Sequence, residues 1–116
     1  MARSPQHELL AQGAEIWNQW RRKRPRVVPR LSRNHLVRWD LGGADLHGAQ
    51  LYEVCWNQTN LHSAFFRSAQ LTTVEFQAVD LRGADFKSAD VRFSSFSGAN
   101  LSGADLRNSS LNRTLL

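Results

Sequence analysis

The chain has 116 residues, room for one domain with a small core, and no apolar run nears the ~18 residues of a membrane span. Hydrophobic residues make up 41%, which excludes wholesale disorder. Net charge is +5, but residues 1–38 hold nine Lys/Arg against two Glu, a surplus of +7, while residues 39–116 come to −2. Such asymmetry marks either a contact with an anionic partner or a solvated connector. The opening MARSPQHELLAQGAEIW lacks the apolar stretch of a signal peptide, and the single Cys55 can form no internal disulfide. A cytoplasmic location and no membrane contact are therefore expected.

Residues 1–24 read as one amphipathic helix. Ser4 before Pro5 suits an N-cap and a first helical position. Leu9, Leu10, Ile16, Trp17 and Trp20 then share a face, with Gly13 in the middle of the stripe, and Pro25 stops the helix. Its expected role is a cap, with Trp17, Trp20 and Trp39 sealing the start of the next region. The alternative is a partner-binding helix.

Residues 25–38 read as a basic connector. The stretch RRKRPRVVPRLSRNHLVR, residues 21–38, holds eight of the fifteen basic residues, and two prolines favour an extended path. Arg21, Arg22, Lys23, Arg24 and Arg26 are candidate contacts to nucleic acid or another anionic partner. Trp17 and Trp20 could stack on bases, provided they are not buried in the cap.

Residues 39–116 repeat with a period of five. Large apolar residues stand at every fifth position from Leu41 to Leu111, and Leu31, Leu36 and Leu116 extend the register. Two positions earlier lies Ala or Val in most repeats, as at Ala44, Ala64, Ala84 and Ala104. Directly before the centre Asp or Asn is common, as at Asp45, Asn60, Asp80, Asp85, Asp90, Asn100 and Asp105. Five residues turn an α-helix by about 140° net, and five is odd for a strand, so neither keeps the centres on one side. A chain that turns a corner every five residues does, and four corners bring it back above its start. Residues twenty apart should then stack. The centres sort into Leu41, Leu61, Leu81, Leu101; Leu46, Phe66, Phe86, Leu106; Leu51, Leu71, Val91, Leu111; and Leu36, Trp56, Phe76, Phe96, Leu116. The aromatic centres fall in two columns on opposite sides.

The segments GADLHGAQL, GADFKSADV and GANLSGADL resemble the pentapeptide-repeat family, and ELLAQGAEIWNQWR is similar to the helix that precedes such repeats in bacterial, notably cyanobacterial, proteins. The resemblance implies an all-β solenoid: a right-handed quadrilateral β-helix of about four coils with an N-terminal capping α-helix. The pattern thins at Thr59, Phe65, Phe93 and Ser94, where local irregularity is expected. Phe93, outward in VRFSSF, is the first place to look for a binding face in the repeats.

The sequence offers no catalytic constellation, and neither a cofactor nor a metal is expected. The aspartates share one repeat position, no His/Cys cluster has metal-ligand spacing, and Cys55 has no evident base beside it. An outward column of His47, Arg67, Lys87 and Arg107 lies beside Asp45, Asp85 and Asp105; mutual neutralisation or an anion-binding stripe are its two readings. The expected function is a non-enzymatic interaction module for a protein partner, with nucleic-acid binding through residues 21–38 as the alternative. A homodimer through the C-terminal end is a further possibility, since Leu111, Leu115 and Leu116 would sit near an open edge. The gyrase-binding DNA mimics of the family are acidic and long. This chain's basic residues and short rod disfavour that role.

Overall fold

The structure, a computed structural model, describes residues 5–116. The Ser4 N-cap lies outside the described residues. In place of one helix there are two, α1 (Pro5–Ala11) and α2 (Ala14–Lys23). The break is Gly13, at φ 102° and ψ 169°, a conformation open essentially to glycine alone. Most of the apolar stripe still faces the coils: Leu10 of α1 and Trp17 of α2 are wholly buried and Leu9 and Trp20 half-buried, but Ile16 is exposed, a correction to its place on the shared face.

From Arg30 onward the chain climbs in coils of twenty residues. Parallel bridges join Arg30 to Gln50, His35 to Cys55, Asp40 to Asn60, and so on in steps of five to Ser95 with Leu115. The ladder thus starts upstream of Trp39, inside the segment read as connector, and Leu31 and Leu36 are fully buried members of the core. The expected all-β sides prove very short. Each is a single bridge residue, because the rest of a five-residue side is spent on the turn.

That turn explains the repeat. Every fifth residue from Arg33 to Arg113 is left-handed, with φ between 56° and 73°. Glycine or serine suits this corner, yet Thr73 and Phe93 also occupy it, at φ 58° and 62°. Many turns close with a direct bond, as where Ala44 N–H donates to Leu41 C=O (3.0 Å). The small residue at the end of the turn and the large centre both point inward, which is why Ala44, Ala64 and Ala84 are buried beside Leu46, Phe66 and Phe86.

The anticipated irregularities do not break the register. Thr59 and Ser94 are buried, and each hydroxyl is inserted into a turn of the coil before it. Val74 N–H donates to Ser94 Oγ (2.9 Å), which donates to Leu71 C=O (2.6 Å). The hydroxyl bridges a turn that has no direct bond of its own. Thr59 does the same between Trp39 N–H and Leu36 C=O.

From their two columns the aromatic centres meet in the core. Phe66 stacks on Phe86 and Phe76 on Phe96, each pair at 4.9 Å, while Phe66 meets Phe76 edge-on at 6.0 Å. Trp56 continues the second column above Phe76, and its buried indole N–H has no hydrogen-bond partner among the described residues. Toward the C-terminal end burial weakens. Leu101, Leu106 and Leu111 are half-buried, and Leu115 and Leu116 are exposed. Among the described residues no helix is long and apolar enough to cross a membrane.

Candidate interaction surface

Where a repeat carries an outward Asp or Asn, from Asp45 onward, that residue secures the corner that follows it. Its side chain accepts the backbone N–H two residues on, as Asp80 does from Arg82 (3.1 Å), Asp90 from Arg92 (3.2 Å), and Asn100 from Ser102 (3.1 Å). Where that second residue is arginine, the guanidinium folds back on the same carboxylate. Arg82 reaches Asp80 at 2.7 Å, Arg92 reaches Asp90 at 2.8 Å, and Arg107 reaches Asp105 at 2.8 Å. The Arg82 guanidinium holds the Asp80 carboxyl down at about 2, against an ordinary value near 3.8. At Asp85 burial opposes the charge, but the Lys87 N–H and the Arg67 guanidinium outweigh it and its pKa is lowered. Asn60 donates to Asp40 in the coil before it (3.0 Å).

The column of His47, Arg67, Lys87 and Arg107 resolves toward neutralisation. His47 pairs with Asp45 (2.6 Å), Arg67 with Asp85 (2.8 Å), Lys87 with Asp105 (3.7 Å), and Arg107 with Asp105. Arg67 is the odd member. The residue two before it is Phe65, so it has no carboxylate in its own coil and, like Lys87, reaches into the next one.

Two large aromatic side chains stand out on the coil faces: Phe65 at 48% exposure and Phe93 at 53%. Phe93 borders a shallow hollow with Thr73, Arg113 and Leu115. Cys55 lies in the same hollow, and burial and the neighbouring Glu75 raise its pKa, so it stays a thiol at neutral pH. Phe65 lines an open groove of about 520 Å³ between α2 and the coils. Phe93 was legible in the sequence as a candidate contact. Phe65 was legible only as a missing Asp; its place beside α2 follows from the docking of the cap.

The basic segment divides. Arg21 is 4% exposed and is spent on the fold, donating to Asp45 C=O (3.3 Å) and His47 C=O (3.0 Å). Burial pushes its pKa down against the pull of Asp45. It therefore drops out as a surface contact, a correction to its reading as part of a basic arm. Trp17 is likewise buried and donates to Asp45 C=O (2.7 Å), which removes it as a base-stacking platform, and Trp20 is half-buried against it at 5.1 Å. Arg22, Lys23, Arg24 and Arg26 remain exposed, and among the described residues no ion pair joins them to an acid. Among the same residues no His, Cys, Asp and Glu side chains gather as a metal-ligand group.

The family model for pentapeptide repeats (8 copies) matches residues 40–77 and 75–113. Among solved structures, the chain is similar to the pentapeptide repeat protein Rfr23 of Cyanothece 51142, with 26% identity, TM-score 0.66, and coverage of 74% of this chain and 63% of that one. A pentapeptide repeat protein of the Arabidopsis thaliana thylakoid lumen is 34% identical at TM-score 0.66, over 67% of this chain and 55% of that one. HetL of Nostoc sp. strain PCC 7120, a pentapeptide repeat protein involved in heterocyst differentiation regulation, is 27% identical at TM-score 0.64, over 75% and 46%. The chain thus spans between 46% and 63% of the length of these structures. Their likeness implies a right-handed quadrilateral β-helix. No curated protein sequence matches the chain.

Proposed function

The chain belongs to the pentapeptide-repeat family, and from that premise we propose that it is a non-enzymatic interaction module that binds a protein partner on the faces of a rigid rod. The observation that carries this reading is the pair of exposed aromatic side chains, Phe65 and Phe93, on faces where Arg67, Arg92 and Arg107 are paired with aspartates. Aromatic side chains on a rigid frame bind with little ordering cost and dominate interface energetics. The family match brings no enzyme family with it. The test is affinity capture from the native host with and without nuclease. A protein that survives nuclease, and rebinds the purified chain directly, supports the reading; no protein that does so overturns it.

A second reading, nucleic-acid binding, draws support from Arg22, Lys23, Arg24 and Arg26 at the capped end, which have no acidic partner among the described residues, whereas Arg67, Arg82, Lys87, Arg92 and Arg107 of the coils are paired. Single-stranded RNA should then bind with steep salt dependence, lost when these four become Gln. Gyrase binding by DNA mimicry has weaker support, since cations alternate with the acids along the rod.

A further inference from the structure

We infer that the groove around Phe65 binds a peptide segment of a protein partner, seating an apolar side chain on the Phe65 ring and a carboxylate on Arg22. This rests on the interaction-module reading and names its site. In this column the other coils carry Asp45, hydrogen-bonded to His47, and Asp85 and Asp105, each ion-paired, whereas Phe65 presents a large apolar surface at 48% exposure. Its backbone is fixed on both sides, with Phe65 N–H on Ala44 C=O (2.9 Å) and Leu46 N–H on Phe65 C=O (2.8 Å). A ring held this way adds contact area at small entropic cost.

The charges around it select the ligand. Asn18 and Arg22 of α2 line the groove with Asp45, His47, Arg67 and Asp85 of the coils. Arg67 is committed to Asp85 and His47 to Asp45. Arg22 is the one lining charge with no acidic partner among the described residues. An apolar ring beside one uncompensated cation complements one carboxylate next to an apolar group. A phosphate polymer needs several free cations along its path, and among the described residues the groove lining offers Arg22 alone, which disfavours nucleic acid here.

The test is selection of random linear peptides displayed on phage against the whole protein, with counter-selection on Phe65→Asp. That variant restores the repeat pattern and gives Arg67 a carboxylate in its own coil, so it folds at least as stably as the parent, read as an equal or higher melting temperature. Enriched peptides should carry Asp or Glu beside an aromatic or aliphatic residue. Their affinity should fall about tenfold or more on Phe65→Asp and on Arg22→Glu, and stay unchanged on Arg113→Glu, a cation outside the groove. Should Phe65→Asp fail to fold, Phe65→Ser and Arg22→Glu carry the same comparison. Absence of enrichment, equal binding to the Phe65 variants, or displacement of the peptides by single-stranded DNA overturns the site. A nuclease-resistant partner held equally by wild type and Phe65→Asp would also overturn it, while leaving the interaction-module reading intact.

Discussion

In the body of the rod, Phe65 N–H finds Ala44 C=O in the coil before it, and Leu46 N–H finds Phe65 C=O in the coil after it. At the start of the ladder Asp45 has no earlier coil to meet. Its N–H goes to Asn18 Oδ1 (2.8 Å), and its C=O accepts from Trp17 Nε1 and Arg21. Asn18 also donates to Gly43 C=O (3.0 Å), so one side-chain amide stands in for a missing peptide group. The body satisfies its edges by repetition; the cap does so with three unrelated side chains from one helix. Repetition tolerates local change, because any coil resembles its neighbours. The cap has no such redundancy.

That contrast is sharpest at Trp17. Truncation to Ala removes a buried ring and leaves the Asp45 carbonyl with only the longer bond from Arg21, so Trp17→Ala should cost about 3–5 kcal/mol in urea unfolding. A loss under about 1 kcal/mol would mean that the first coil needs no cap. Within the body, Ser94→Ala restores the usual small residue, and pattern alone predicts a gain. The structure predicts a loss of about 1–3 kcal/mol, because Val74 N–H and Leu71 C=O lose the hydroxyl that joins them. At the cap, Gly13→Ala should also destabilise by about 1–3 kcal/mol although its Cβ would meet open space. In one continuous helix the same change would stabilise by about 1 kcal/mol, so the sign distinguishes the two forms.

The smallest effect concerns the ion-paired faces. Asp80, Asp85, Asp90 and Asp105 all have lowered pKa values in the folded chain. On acidification the unfolded chain takes up these protons first. Their contribution is therefore full above the ordinary carboxylate value and is lost as pH falls from about 4 toward the Asp80 value of about 2. The urea midpoint should drop across that window. Asp80→Asn should flatten the drop slightly, since exposed pairs are individually weak. An unchanged slope would show that the pairs add nothing to stability.

The coil was legible in the chain's own spacing. A five-residue beat with a large centre, a small partner and an Asx residue before the centre admits one backbone path, because each position meets a local physical need. The centre fills the interior, the small residue fits beside it, and the Asx side chain accepts an N–H. The paired charges on the outer columns follow from the same spacing. Which irregular residues matter emerged only from the packing. Thr59 and Ser94 look like defects in the pattern, yet their hydroxyls bridge turns in the coil before. Arg21 and Arg22 are neighbours of the same type, but α2 turns Arg21 onto the first coil and leaves Arg22 over the groove at Phe65. Which side of a helix meets a coil depends on contacts between residues more than twenty apart, and a local repeat carries no information about those.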